Sequence, residues 1–157
     1  MTALETVHAI ELRHITKRFG KVVANDDIDL ALDRGEILSL LGENGSGKTT
    51  LMNMLSGIYF PDEGEILVEG RPVAIRSPKD AFDHGIGMIH QHFKLIDVFT
   101  AAENIVLGLH DGSRLDRREI AAKVKEISDR YGFGIDPNKK VYDMSVSEKQ
   151  TVEIVKV

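Results

Sequence analysis

Apolar and polar residues alternate along the first third of the chain, and this alternation predicts short, half-buried β-strands. Residues 8–14 alternate in this way, and Ile28, Leu30 and Leu32 recur at every second position. Residues 37–41 are instead apolar at nearly every position, which is typical of a strand covered on both faces inside a parallel sheet. The remaining predicted strands cover residues 64–69, 72–75 and 86–89.

Capping residues predict a short helix near the middle of the chain. Ser77 can cap its first turn, Pro78 suits the first helical position, and Asp80 is placed for a reciprocal capping bond. Gly85 ends this helix, because glycine readily adopts the left-handed conformation that closes a helix.

Helical spacing dominates the last third of the chain. Asp116 and Glu119 form a capping-box pair, and apolar residues then recur every three or four positions until Gly132. A final helix begins at Ser147 and continues to the last residue without a closing glycine or proline. The sequence therefore predicts a mixed α/β section up to about residue 93, followed by a largely helical section.

The composition narrows the classes of protein that fit this pattern. The 157 residues are 42% hydrophobic and 29% charged, as in a soluble one-domain protein. The net charge of −5 does not favour nucleic acid or an anionic membrane as a partner, since both select an excess of Lys and Arg. Cysteine is absent, which excludes disulfides, thiolate metal sites and a cysteine nucleophile.

The chain has no segment typical of membrane insertion or export. Its longest uncharged stretch, residues 49–61, contains 13 residues. A transmembrane helix needs about 20. The N-terminus has no basic start followed by an apolar block, so it does not match a secretion signal. We therefore expect a cytosolic protein.

A glycine-rich loop carries the strongest chemical signal in the sequence. Residues 42–49 read Gly-Glu-Asn-Gly-Ser-Gly-Lys-Thr and match GxxxxGK(S/T), between a predicted strand and a predicted helix. Glycines let several backbone N–H groups point at one anion, and the helix N-terminus adds a favourable dipole. Lys48 supplies a charge for the terminal phosphates, and the Thr49 hydroxyl can join a Mg²⁺ shell. The candidate nucleotide-binding residues of the loop are Gly42, Glu43, Asn44, Gly45, Ser46, Gly47, Lys48, Thr49 and Thr50.

The loop alone does not identify the class of phosphate-binding protein. An accidental glycine-rich turn is the plain alternative, and GTPases, kinases, recombinases and transport ATPases share the same loop. A GTPase is disfavoured because residues 138–140, Asn-Lys-Lys, lack the Asp of a guanine-reading motif. Another P-loop enzyme and a non-catalytic, nucleotide-sensing interaction module remain as alternatives.

Further segments resemble the ATP-binding subunits of ABC transporters, in the same order and over essentially the whole chain. Residues 15–20 resemble the aromatic segment that stacks on adenine, which implies that Phe19 is the stacking ring; a core or turn aromatic is the alternative. Residues 86–91 resemble the strand that enters the Q-loop. The resemblance implies that Gln91 contacts Mg²⁺ and the attacking water, and that residues 92–106 face the membrane subunit.

Two histidines beside Gln91 are candidate metal ligands. His90 and His92 lie two positions apart, so on an extended segment their side chains can point the same way. Cysteine is absent and no third ligand is evident, whereas a zinc site usually has three or four protein ligands. Docking or packing is therefore the favoured role for this pair.

Residues 144–150, Met-Ser-Val-Ser-Glu-Lys-Gln, resemble the ABC signature, which is normally LSGGQ. Val146 and Ser147 replace its two glycines, and Glu148 replaces its glutamine. This Ser-Val type resembles importers of simple sugars and nucleosides. Ser145 can cap the following helix with Glu148 as its capping-box partner, and the helix N-terminus would face the γ-phosphate of an ATP held by a partner. The alternative is a capped surface helix.

The resemblance implies an α/β fold of the P-loop NTPase (ABC ATPase) type. An antiparallel β subdomain and part of the RecA-like parallel core would occupy residues 1–93, and a helical subdomain up to the signature helix would occupy residues 94–157. The implied cofactors are ATP and Mg²⁺, with Lys48 and Gln91 in catalysis and Thr49 and Gln91 at the metal.

The resemblance also implies partners and a cellular location. The partners would be a second ATP-binding domain, transmembrane permease subunits and, indirectly, a solute-binding protein, at the inner face of the cell membrane. The acidic Asp-Glu strand and the histidine of the family come after the signature helix. The chain stops at Val157 before them, so we expect an N-terminal portion that binds ATP and hydrolyses little of it.

Overall fold

The computed structural model describes residues 7–90, 93–107 and 116–157. They belong to two compact units, Met1–Gly87 and Met88–Val157, which we call the first and the second unit.

The first unit is built on a four-stranded antiparallel sheet. Its strands are β1 Ile10–Phe19, β2 Val22–Leu32, β3 Glu63–Val68 and β4 Arg71–Val73, and their order across the sheet is β2-β1-β3-β4. The alternating patterns thus predicted these strands correctly. Short hairpins join β1 to β2 and β3 to β4, whereas β1 and β3 pair antiparallel although β2 and α1 lie between them in sequence.

A break in β1 changes which of its residues face the core. Leu12 is buried, but His14 has a positive φ of 52° and is exposed, and the next buried residue is Ile15. The pairing with both neighbouring strands shifts register at this point, as in a β-bulge. A one-residue shift moves the inward face to the other set of positions, so His14 does not share a face with Leu12, as a regular alternation over residues 8–14 would place it.

Two helices pack on this sheet, α1 Lys48–Leu55 and α2 Pro78–Asp83. The Ser77 hydroxyl accepts a hydrogen bond from the Asp80 amide, as predicted for the α2 cap, while the Asp80 carboxylate accepts one from the Arg76 amide. The buried core of the first unit consists of Leu12, Ile15, Leu51, Met54, Ile66, Ile75 and Ala81.

Two predicted strands are not strands in the structure. Residues 37–41 pair with none of the described residues, and Ile37 and Leu41 are 94% and 88% exposed. Residues 86–89 also form no ladder, although Ile86 packs against the core of the first unit. The predictions were wrong here because an apolar run indicates a preference for burial, whereas a strand also needs a hydrogen-bonding partner.

The second unit is helical. It contains α3 Ala101–Val106, α4 Arg117–Tyr131, a 3₁₀ turn at Val141–Asp143 and α5 Val146–Lys156. Its core consists of Ala101, Ala102, Ile105, Val124, Ile135, Val141, Met144 and Val152. Across the described parts of both units, no helix is long and apolar enough to cross a membrane.

Caps fix the ends of these helices. The predicted cap of α4 is Asp116, which accepts from the Arg118 amide, and Gly132 closes the helix with φ of 69°. The predicted capping box with Glu119 is not formed, since the Asp116 carboxylate accepts from the Arg118 amide rather than from that of Glu119. An unpredicted capping box joins Thr100 and Glu103 at the start of α3.

Candidate functional site

The glycine-rich loop of residues 42–47 leads directly into α1, and Gly47 is the residue that joins them. Gly47 caps the helix in the left-handed conformation, with φ of 85°. A Cβ atom at this position would lie 2.2 Å from the backbone oxygen of Ala24 in β2. Only glycine satisfies both conditions, so the sequence places the loop against β2 at one defined point.

The Lys48 side chain lies back over the loop. Its ammonium donates to the backbone oxygens of Gly42 and Glu43, both at 2.7 Å, and to the Ser46 hydroxyl at 3.1 Å. All three acceptors are neutral, and Lys48 is only half-buried. An anionic phosphate at the loop would form a stronger, charge-assisted bond with this ammonium.

The backbone amides of the loop are available to an anion. Within the parts of the chain that the structure describes, nothing accepts a hydrogen bond from the amides of Gly45, Gly47 or Lys48. These donors lie at the N-terminus of α1, where the helix dipole also favours negative charge. The loop therefore combines one mobile positive charge with several unpaired N–H groups, which is the chemistry of a polyphosphate site.

Asn25 supports the loop from β2, a role that no pattern in the sequence predicted. It is 6% exposed, and its side-chain amide donates to the backbone oxygen of Gly47 at 3.4 Å. Its side-chain oxygen is buried and has no partner among the described residues. Asn25 precedes Asp26 and Asp27, and this polar triplet is more typical of a turn than of a buried strand position.

Phe19 lies at the end of β1 and is 42% exposed, so it is not a core aromatic. It pairs with Val22 across the hairpin, and two residues farther along β2 the Ala24 backbone approaches Gly47. The start of β2 thus connects the exposed aromatic ring to the phosphate-type loop. The candidate base-stacking residue and the candidate phosphate-binding residues belong to the same unit.

The structure describes some of the remaining candidate residues of the nucleotide site and not others. Thr49 is exposed and Thr50 is half-buried in the first turn of α1. Gln91 and His92 lie outside the described residues. In the described ranges 7–90, 93–107 and 116–157, no group of three or more His, Asp and Glu side chains is placed to hold a metal ion.

The signature-like segment forms the N-terminus of α5 in the second unit. Ser145 and Glu148 form the predicted capping box, with the Ser145 amide donating to Glu148 Oε2 at 2.7 Å. Glu148 Oε1 also accepts from the Lys139 ammonium at 2.6 Å. These bonds, with that from Lys139 foremost, lower the pKa of Glu148 to about 2. Val146 and Ser147 are exposed beside this cap.

Loop, aromatic ring and helix N-terminus define a P-loop nucleotide-binding protein. More narrowly, the chain belongs to the ABC transporter family, whose sequence model matches residues 25–157. The resemblance that the motifs indicated is therefore confirmed at the level of the family. ATP binding is the property that this family implies for the loop.

Curated relatives lie among the ATP-binding proteins of importers. The guanosine import ATP-binding protein NupO of Bacillus subtilis is 52% identical over 95% of this chain and 30% of that protein. The nucleoside import ATP-binding protein NupA of Lactococcus lactis is 51% identical over 98% of this chain and 30% of that protein. A ribose import ATP-binding protein, RbsA 1 of Rubrobacter xylanophilus, is 48% identical. The chain spans about 30% of the length of these relatives.

Solved structures share the fold. CbiO1 from Clostridium perfringens, part of the ABC transporter complex cbiONQ, has a TM-score of 0.76 at 24% identity, over 96% of this chain and 61% of that chain. The ADP conformation of MJ1267, an ATP-binding cassette of an ABC transporter, has a TM-score of 0.82 at 22% identity, over 96% and 64% respectively. The predicted fold class, part of an ABC ATPase domain, is thus confirmed.

Proposed function

We propose that this chain binds the triphosphate of ATP in the loop of residues 42–49, as the nucleotide-binding part of an importer for a nucleoside or a simple sugar. The observation that supports this is the loop itself. Its ammonium is held only by neutral oxygens, and its amides at Gly45, Gly47 and Lys48 have no acceptor among the described residues. The relatives are named as import proteins for guanosine, nucleosides and ribose, which supports a nucleoside or a simple sugar as the transported solute.

We propose that a magnesium ion binds at the first turn of α1. The exposed Thr49 follows Lys48 at the helix N-terminus, and a hydroxyl oxygen is a suitable ligand for this hard cation. When bound, the ion would supply positive charge to the phosphate oxygens. Thr49 would hold it from this loop, and we propose Gln91 as the second residue that contacts it. Lys48 would neutralise the terminal phosphate during its transfer.

We further propose that this chain acts together with the other subunits of a transporter. A second ATP-binding domain would meet the signature-like segment of residues 145–148, and permease subunits would contact residues 92–106 at the inner face of the membrane. A solute-binding protein would act indirectly, by delivering the cargo to the permease. The family membership and the import proteins among the relatives support this arrangement.

The substitution Lys48→Ala tests the proposed site. It removes the ammonium that lies over the loop, so ATP binding should weaken by more than about tenfold, as expected for a lost charge-assisted bond. Titration with a fluorescent ATP analogue, in the presence and absence of Mg²⁺, measures the affinity. Lys123→Ala, at an exposed position in α4, is the matched control and should bind normally. Equal affinities of the Lys48 variant and the parent would refute the site.

A further inference from the structure

A buried lysine lies beside the exposed ring of Phe19. Lys17 is 8% exposed, and its ammonium is 2.8 Å from Asp62 Oδ1. The same ammonium lies over two rings, 5.5 Å from the centroid of Phe19 and 4.8 Å from that of Phe60. A desolvated cation over an aromatic face is attracted by the ring electrons, so Lys17 joins two rings and one carboxylate.

Tyr59 contacts the Phe19 ring as well. The two ring centroids are 5.1 Å apart, and the planes meet at 70°, which is the favoured edge contact of aromatic pairs. Phe19 thus has a cation over its face and a second ring against it, while 42% of the residue stays exposed. Its orientation is fixed by neighbours that leave part of the ring open to a ligand.

Backbone bonds anchor this cluster of Lys17, Phe19, Tyr59, Phe60 and Asp62. The Asp62 carboxylate accepts from the Arg18 amide at 2.7 Å, and the Asp62 amide donates to the Thr16 oxygen at 2.9 Å. The Tyr59 amide donates to the oxygen of Asn53, near the end of α1, at 3.1 Å. The cluster is therefore tied to β1 on one side and, on the other, to the helix whose first residue is Lys48.

Cross-strand pairing places the same cluster next to the phosphate-type loop. Lys17 lies opposite Asn25 in the β1–β2 ladder, and directly opposed residues share one face of a sheet. Asn25 in turn donates to the Gly47 oxygen. Lys17, which holds Phe19, and Asn25, which supports the loop, are thus neighbours on one face of the sheet.

We propose that Tyr59 and Lys17 are positioning residues, which hold the Phe19 ring as a preformed stacking surface for the base of the bound nucleotide. This inference rests on the proposed function and extends it to residues that do not touch the phosphates. A ring already fixed in orientation loses less conformational freedom on binding than a mobile one, so more of the stacking energy appears as affinity. Neither residue binds the base through its own polar atoms in this arrangement.

The test compares a nucleotide with its base-free phosphate chain on the 157-residue protein. Competition against a fluorescent ATP analogue gives the affinities of ATP and of inorganic tripolyphosphate. Tyr59→Ala should weaken ATP by about 3- to 10-fold, the range of an aromatic pair contact, and leave tripolyphosphate unchanged. Tyr59→Phe keeps the ring and should restore ATP affinity. Tyr142→Ala, at an exposed tyrosine of the second unit, is the matched control.

A second pair of variants tests the cation independently. Lys17→Met should give the same selective loss of ATP affinity, and Lys17→Arg should retain it, since an arginine keeps both the charge and the contact with the rings. Thermal melting of each variant establishes that it is folded. If Lys17→Met does not fold, the Tyr59 series alone decides the outcome.

The possible results separate this inference from the proposed function. Unchanged ATP affinity in Tyr59→Ala overturns the positioning role, and so does an equal loss for ATP and tripolyphosphate, because that result indicates a general structural effect. Lys48→Ala is the reference for the proposed function. If Lys48→Ala binds tripolyphosphate as tightly as the parent, then the proposed phosphate site is wrong, whatever the Tyr59 variants show.

Discussion

At the scale of single residues, Gly47 carries two separate constraints that Gly45 does not share. Both glycines have a positive φ, 86° at Gly45 and 85° at Gly47. A Cβ at Gly45 would meet nothing within 4 Å, whereas one at Gly47 would lie 2.2 Å from the Ala24 oxygen. A side chain at Gly45 would therefore cause backbone strain alone, whereas one at Gly47 would cause the same strain and a steric clash.

We predict that Gly45→Ala and Gly47→Ala differ in stability and in binding. Gly45→Ala should lower the free energy of unfolding by about 1–2 kcal/mol, the usual penalty for a left-handed residue with a side chain. Gly47→Ala should lower it further and also weaken ATP, because relief of the clash requires the loop to move away from β2. Urea denaturation and the fluorescent-nucleotide titration measure the two effects. Equal losses in both variants would show that the contact with Ala24 does not constrain the loop.

Residues with local chemistry could be predicted, and residues defined by tertiary contacts could not. The spacing of Gly42, Gly47 and Lys48 identified the loop because each of these residues acts within the same short segment of the chain. Asn25 and Lys17 gave no such signal. Their importance comes from burial against segments 22 and 45 residues away in sequence, at Gly47 and Asp62.

At the scale of elements, periodicity predicted the strands of the first unit and failed for residues 37–41. The strands β1 to β4 all find antiparallel partners within the first unit, two pairs through hairpins and β1 with β3 through a long-range ladder. An apolar run such as residues 37–41 requires a partner strand, and the described residues supply none. The caps at Ser77, Asp116 and Ser145 were predictable because a cap depends on two or three adjacent residues.

The start of α5 has a pH dependence whose sign follows from the Glu148 carboxylate. Its pKa is lowered from 4.5 to about 2, first by the bond from Lys139 and then by the Ser145 amide. A lowered pKa in the folded state means that the bonds stabilise the fold fully above pH 4.5 and are lost as the pH falls toward 2. The stability difference between the parent and Glu148→Gln should therefore decline over that interval.

Carbon-detected NMR titration of the glutamate carboxyl groups measures this pKa directly. In the parent, the Glu148 carboxyl should titrate near pH 2, well below an ordinary glutamate. Lys139→Met removes the leading cause and should move the midpoint upward toward 4.5. Lys123→Met, at an exposed lysine of α4, is the control and should leave it unchanged. A midpoint near 4.5 in the parent would contradict the capping geometry.

At the scale of the whole molecule, each unit has a hydrophobic core of its own. Ile15 is fully buried in the core of the first unit, and Ile105 is almost fully buried in the core of the second. Replacing a buried isoleucine with alanine typically lowers the free energy of unfolding by about 2–5 kcal/mol, from lost burial and a new cavity. Ile15→Ala and Ile105→Ala are thus a matched pair. Both should lower the free energy of unfolding by a similar amount, but each should do so in its own unit.

Hydrogen exchange followed by mass spectrometry resolves those locations. Ile15→Ala should increase exchange in peptides of Met1–Gly87, including β1, β3 and α1, while peptides of α4 and α5 keep the protection of the parent. Ile105→Ala should do the reverse, because contacts of a core stabilise the cooperative unit that contains them. Increased exchange across both units in either variant would show that they open as one cooperative body. Selective loss would show that the glycine-rich loop and the signature-like helix lie in independently stable units, so that a variant of one can be interpreted without correction for the other.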